Sequence, residues 1–199
     1  PGNGSYEVCL PLTKMGDYTM SVRVRNSHDE LQPVEAYPFA FNVGAGPVSA
    51  VHCRFHGDGT SIATAGIPST FTVQSFDEHS NVRLSADDQF AVALQQSPVV
   101  VCNGEAVGSG QYRVSYCATR TGIFELNLIV NGMRITTPDL RLGPVSVHSG
   151  PACGDRCEAV GKAVSHAEAG NTVQFEVHTV DVHGNECTSG GEALTVYLT

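Results

Sequence analysis

The sequence predicts an all-β fold of two-layered antiparallel sandwiches set in tandem, and three observations predict it. Short runs alternate apolar and polar residues with period two, as in FAVAL, where Phe90, Val92 and Leu94 share one face. Turn-forming Gly and Pro are plentiful, at 21 and 10 residues, and no stretch keeps apolar residues at helical spacing for three turns. Segments of the chain also repeat one another, which marks a modular array.

The elements follow in order along a central unit. VSAVHCRF (48–55) opens it, and STFTVQSF (69–76) puts Phe71 and Val73 on one face. QFAVALQ (89–95) and PVVVC (98–102) are the third and fourth runs. QYRVSY (111–116) aligns Tyr112, Val114 and Tyr116, and IFELNLIV (123–130) and ITTPDLRL (135–142) close the unit. Seven short strands in about 100 residues, joined by Gly, Pro, Asn and Asp turns, point to an immunoglobulin-like sandwich. The chain has no Trp, so the antibody-type Cys–Trp–Cys core is absent.

The repeats set the domain plan. AGIPSTFTVQSFDEHSN (65–81) recurs as AGNTVQFEVHTVDVHGN (169–185), with Phe, Val, Asp, His and Asn in place at an offset of 104. The match continues from ADDQFAVAL (86–94) to GGEALTVYL (190–198). GSYEVCLPLTKMGDYTMSVRV (4–24) falls on GQYRVSYCATRTGIFELNLIV (110–130), pairing Tyr6 with Tyr112 and Thr13 with Thr119. GPVSAVH (46–52) and GPVSVH (143–148) are taken as the starts of two units. The expected division is therefore 1–45 as the C-terminal half of a unit, 46–142 as a complete one, and 143–199 as the N-terminal half of another.

Composition excludes several functions. A formal net charge of −9 argues against sequence-independent binding to nucleic acid or to an anionic membrane surface. No apolar run approaches the roughly 18 residues that span a bilayer, so no direct membrane insertion is expected. No charged-then-apolar signal peptide opens the chain, whose first residue is not Met. No G-x-S-x-G elbow, H-E-x-x-H pair or phosphate loop with its Lys is present, so no enzyme, cofactor or catalytic residue is expected.

The repeated Asp-x3-Asn stretch invites a metal reading through Asp77 and His79, or Asp181 and His183. Calcium wants six or more oxygens, and the stretch offers one carboxylate and some carbonyls. A tight turn explains it better: Gly184 and Asn185 suit positive φ, and Asp181 can accept from the turn's amides. His148, Cys153, Cys157 and His166 lack a second Cys pair at zinc-knuckle spacing. A local Cys153–Cys157 disulfide and two free thiols are the alternatives left there. Of the seven Cys, Cys9 aligns with Ser115, Cys117 with Pro11 and Cys187 with Arg83. None is found to recur between units, which speaks against a framework disulfide and for a reducing compartment. Asn3-Gly4-Ser5 is an N-glycosylation sequon and points the other way.

Taken in order, AGIPSTFTVQSFDEHSN, FAVALQQSPVVVC and GSGQYRVSYCATRTGIFELNLIVNG resemble the filamin-type immunoglobulin repeat, with its AG-x-P-S-x-F-T-V strand, D-x-x-GN turn and G-x-Y-x-V-x-Y…T-x-x-G strand pair. The closing strand is matched by TTPDLRL (136–142) and by YPFAFNV (37–43). The likeness spans the chain as half, full and half repeats. Ser80 replaces the turn Gly, and RNSHDELQPVEAY (25–37) and HSGPACGDRC (148–157) read as an enlarged loop and an insert. The resemblance implies a non-enzymatic scaffold in a cytoskeletal or axonemal assembly, cytoplasmic or ciliary, whose partners are other proteins, including neighbouring repeats. An extracellular adhesion ectodomain at the cell surface is the alternative, and an accessory module beside a catalytic domain a third. Actin binding in filamins comes largely from a separate helical domain, so it is not implied. Partner peptides of filamins add a strand in the groove of the third and fourth strands. Here that maps onto Phe90, Ala91, Val92, Ala93, Leu94, Gln95, Val99, Val100 and Val101, with Ala91, Ala93 and Gln95 outward.

Overall fold

The computed structural model describes residues 3–34, 38–94, 102–134, 142 and 144–198. The chain is all-β. Strands β1 (Gly16–Met20), β2 (Arg23–Arg25), β3 (Leu31–Pro33) and β4 (Phe39–Val43) come first, β1 pairing with β4 and β2 with β3. The stretch read as an enlarged loop is thus largely a hairpin, turned at Asp29 with φ of 66°.

The central sandwich follows. One layer holds β5 (Arg54–His56), β7 (Ser69–Gln74), β10 (Glu105–Gly108) and β11 (Gln111–Tyr116), in the order β10-β11-β7-β5; β6 (Ile62–Thr64) lies outside it. The other holds β8 (Phe90–Leu94), β9 (Cys102–Asn103), β13 (Leu126–Val130) and β14 (Met133–Arg134), in the order β14-β13-β8-β9. A third ribbon pairs β12 (Gly122–Phe124) antiparallel with β15 (Val145–His148), which runs parallel to β6. Beyond it, β16 (Glu158–Val160) pairs with β17 (Glu176–His178).

The period-two pattern fixes the core. Phe71, Val73, Tyr112, Val114 and Tyr116 from one layer meet Phe90, Val92, Leu94, Leu126, Leu128 and Val130 from the other, all buried. Register brings like faces together, with Val114 opposite Phe71 and Leu128 opposite Val92. Each such side chain contributes roughly 1.5–3 kcal/mol on burial. The Phe90 and Tyr112 rings lie 4.6 Å apart, tilted by 49°. Both tyrosine hydroxyls are satisfied, Tyr112 donating to Ser85 O at 3.0 Å and Tyr116 to Gly59 O at 2.7 Å.

The flanking segments carry the same stripes without the cover. Phe71 is 2% exposed and its counterpart Phe175 40%; Val92 is 0% and Val196 63%; Val114 is 0% and Val8 70%.

Four sequence expectations need correction. A division at 142/143 runs through the central sandwich, because Val145–His148 pairs with Gly122–Phe124 and with Ile62–Thr64. Val147 opposite Gly122 repeats the pairing of Val43 with Gly16, so 145–148 stands where β4 stands. Nor is 148–157 an insert: it repeats the 44–53 segment. Ala50–His52 and Gly154–Arg156 form equivalent 3-10 turns, followed by Cys53 and Cys157. GPVSVH is the wrong partner for GPVSAVH; the matching Gly-Pro is 150–151, again 104 residues on. One cysteine therefore does recur, Cys53 as Cys157. The expected strand 135–142 lies, but for Leu142, outside the described residues.

Candidate docking joint at two aspartate turns

The repeated turn begins with a buried carboxylate. Asp77 sits at the end of β7's run, 1% exposed, and Asp181 follows β17, 0% exposed. The Asp77 Oδ1 accepts from the backbone N–H of His79 and of Asn81, both at 2.9 Å. Its Oδ2 accepts from Gly46 N–H and from Asn81 Nδ2, both at 2.8 Å. Asp181 repeats the set: Oδ1 takes His183 and Asn185 N–H at 2.9 Å, and Oδ2 takes Gly150 N–H at 2.9 Å and Asn185 Nδ2 at 2.7 Å. Four donors occupy each carboxylate, which accounts for an aspartate here without any ion. Among the described residues, no cluster of three His, Cys, Asp or Glu is arranged to hold a metal.

Burial alone would raise the pKa of each group. The donors outweigh it, the Asn side-chain amide first and then the backbone N–H groups. Asp77 is held well below the usual carboxylate range, and Asp181 is lowered to about 2.

Left-handed backbone closes both turns. Gly184 has φ of 84°, and Ser80 adopts 62° in the same place, so the Ser departure is absorbed with some strain.

The asparagine then reaches away from its own turn. Asn81 Nδ2 donates to Thr13 O at 2.9 Å, and its Oδ1 accepts from Met15 N–H at 3.0 Å. Asn185 Nδ2 donates to Thr119 O at 3.0 Å, and its Oδ1 accepts from Thr121 N–H at 3.1 Å. Thr13 aligns with Thr119 and Met15 with Thr121, so the contact is the same one made twice. Sequence reasoning missed it, having assigned the repeat to a local turn.

The segments leading into the turns are held as well. Arg83 donates to Gly46 O while its guanidinium pairs with buried Asp88 at 2.8 Å, and Asn131 Nδ2 donates to Asp88 at 3.2 Å. Cys187 replaces Arg83 and makes only a 3.8 Å thiol contact to Gly150 O. Lys14 Nζ adds a bond to His79 O at 2.9 Å. On the other joint, His183 covers Gly66, where an added Cβ would meet its Nε2 at 2.7 Å.

The other expected sites fall as follows. Phe90, Val92 and Leu94 are core; Ala91 and Ala93 are half-buried and outward. β13 flanks β8 along its length, and β9 already pairs with it at Ala91 and Val92. No pairing beyond Val92 on that side is present among the described residues. Gln95, Val99, Val100 and Val101 lie outside the described residues. Cys153 and Cys157 are free thiols, not a disulfide. The Cys157 Sγ turns instead to Cys153 O at 3.2 Å, as Cys53 Sγ turns to Ser49 O at 3.4 Å. Burial raises the pKa of the Cys53 thiol and makes it unreactive. Asn3 is exposed, with its Oδ1 accepting from Ser5 N–H at 3.1 Å. No helix among the described residues is long and apolar enough to cross a membrane.

Residues 47–138 match the Filamin/ABP280 repeat family. In solved structures, the chain is similar to FdeC, an Escherichia coli adhesin, at 18% identity and a TM-score of 0.55, over 85% of this chain and 53% of that one. Invasin, a bacterial integrin-binding protein, gives 18% identity and a TM-score of 0.50, over 80% of this chain and 31% of that one. The Lin-41 filamin domain gives 20% identity and a TM-score of 0.43, over 53% of this chain and all of that one. The chain spans about half the length of the FdeC chain it matches. At these identities the likeness is one of fold.

Proposed function

We propose that the chain, whose residues 47–138 match the Filamin/ABP280 repeat family, is a non-enzymatic scaffolding segment of a larger repeat protein. It spaces other domains and offers sheet edges to partner proteins in a cytoskeletal or axonemal assembly. We divide it into a second half-repeat (1–45), a complete repeat (46–148) and a first half-repeat (149–199). The observation that carries this reading is the hydrogen-bond set made twice, 104 residues apart, in which one segment's turn holds the loop of the segment before it. The stripes exposed in the flanks are those the central sandwich buries, which supports neighbouring strands as their cover.

A partner strand would add along β8 on the side away from β13. Phe90, Val92 and Leu94 anchor β8 in the core, and the methyl groups of Ala91 and Ala93 leave room outward.

The free thiols favour a reducing, intracellular setting. Antibody labelling of intact and permeabilised cells, with alkylation of the cysteines before reduction, tests it. Labelling only after permeabilisation, with all seven thiols alkylated, is the expected result. The exposed sequon at Asn3 favours the second reading, a cell-surface adhesion ectodomain. Labelling of intact cells and a glycan on Asn3 would establish that reading instead.

A further inference from the structure

We infer that the face formed by the Asp77–Asn81 turn is a docking surface for the Thr-bearing loop of the preceding repeat, and that Asp181–Asn185 is a second copy of it. Adjacent repeats are thereby held in one orientation. The inference rests on the repeat division proposed above.

The chemistry of a primary amide makes the contact directional. One Asn side chain donates to the carbonyl of one loop residue and accepts from the N–H two residues on, at 2.9 and 3.0 Å for Thr13 and Met15. It therefore pairs with the loop backbone as an adjoining strand would. A rotated or slid loop cannot satisfy both atoms. The aspartate fixes which way the amide faces: the remaining Nδ2 proton goes to Asp77 Oδ2 at 2.8 Å, and a flipped amide would set oxygen against that carboxylate. The same carboxylate holds Gly46 N–H at 2.8 Å, so turn, linker and preceding loop meet at one group. Both joints carry all these bonds with spacings that agree within about 0.1 Å, which gives successive repeats the same setting.

Short linkers otherwise leave neighbouring domains free to reorient. A latch of this kind makes the array a stiff rod of constant phase. The rest of the joint is not identical. Arg83 grips the Gly46 carbonyl in the first, and the Cys187 thiol lies at 3.8 Å from that of Gly150 in the second.

Amide exchange and small-angle scattering on the 199-residue chain test this. In the unaltered chain, the Met15 and Thr121 amides are expected to exchange slowly and the scattering to fit one shape. Asn81→Ala should speed Met15 exchange about tenfold or more, the equivalent of about 1.4 kcal/mol. Thr121 and the core amides of Val73 and Val114 should keep their rates. Asn185→Ala should do the converse, and either change should broaden the distribution of maximum dimensions. Should Asn81→Ala speed Val73 and Val114 as well, Met15→Pro removes the donor from the other side of the joint. Scattering then decides: broadening with slow core exchange supports the latch, and an unchanged shape overturns it. Free exchange of Met15 and Thr121 in the unaltered chain, or protection that survives loss of the asparagine, also overturns it. Localisation and thiol state decide the scaffold reading, and exchange decides the joint, so either can fail alone.

Discussion

Asp77→Asn keeps the size and shape of the side chain and changes only its hydrogen bonding. The carboxylate accepts four N–H groups, two on each oxygen. An amide in its place can keep the His79 and Asn81 backbone donors on its oxygen. Its NH2 then faces Gly46 N–H and Asn81 Nδ2, two donors that sit 2.8 Å from Oδ2. Hydrogen bonds to a charged group contribute about 1.5–3 kcal/mol each, so losing two costs about 3–6 kcal/mol. A domain is stable by only about 5–15 kcal/mol, so this is a large fraction. At about 4–8 °C per kcal/mol for a sandwich of this size, the melting temperature should fall by at least about 12 °C. Near-UV circular dichroism at pH 7 reads it, since buried Tyr112 and Tyr116 report on the central core. A fall of less than about 3 °C, well under one lost bond on that scale, would refute the claim that the charge of Asp77 is what its donors hold.

Further outcomes follow from the same contacts. The depressed aspartates stabilise the fold fully above the ordinary carboxylate range, and that contribution is lost as pH falls from about 4 through their folded values; Asp181 lies at about 2. Acid melts should show the loss, and Asp77→Asn should flatten it. Arg83→Met leaves buried Asp88 without its ion partner and should cost about 3–5 kcal/mol in urea unfolding. Ser80→Gly relieves a left-handed serine and should stabilise by about 0.5–1 kcal/mol, the steric cost less the entropy of glycine. Ala91→Arg with Ala93→Arg should abolish strand-adding partners while leaving the melt within about 3 °C, well under the shift expected for 1 kcal/mol; unchanged binding of every partner would remove the groove reading.

The period-two runs made the core legible. Phe71, Val73, Phe90, Val92, Tyr112 and Val114 point inward where alternation puts them, because a pleated strand leaves each residue only two faces. Boundaries were harder, and the reason is local. GPVSVH (143–148) copies GPVSAVH in letters, yet its Val145–His148 forms the closing strand, because pairing with Gly122–Phe124 depends on register and not on residue names. Following the offset of 104 upstream would have found the true match, since Gly46-Pro47 falls on Gly150-Pro151 and Cys53 on Cys157. The Asn contact was hidden for a different reason. Asp77 and Asn81 lie four residues apart and satisfy a turn, so nothing local demands a distant partner; Thr13 and Met15 stand 68 and 66 residues away. Only the coincidence of two offsets could have exposed it. The Asn repeats at 104 and the Thr loop at 106, so a contact made at one joint must be offered at the other. Within its own repeat the Asn side chain bonds only Asp77 or Asp181, and its other two bonds go to the preceding loop. Retaining Asn81 and Asn185, in a chain where the neighbouring Ser80 and Gly184 differ, fits a residue that answers to two repeats at once.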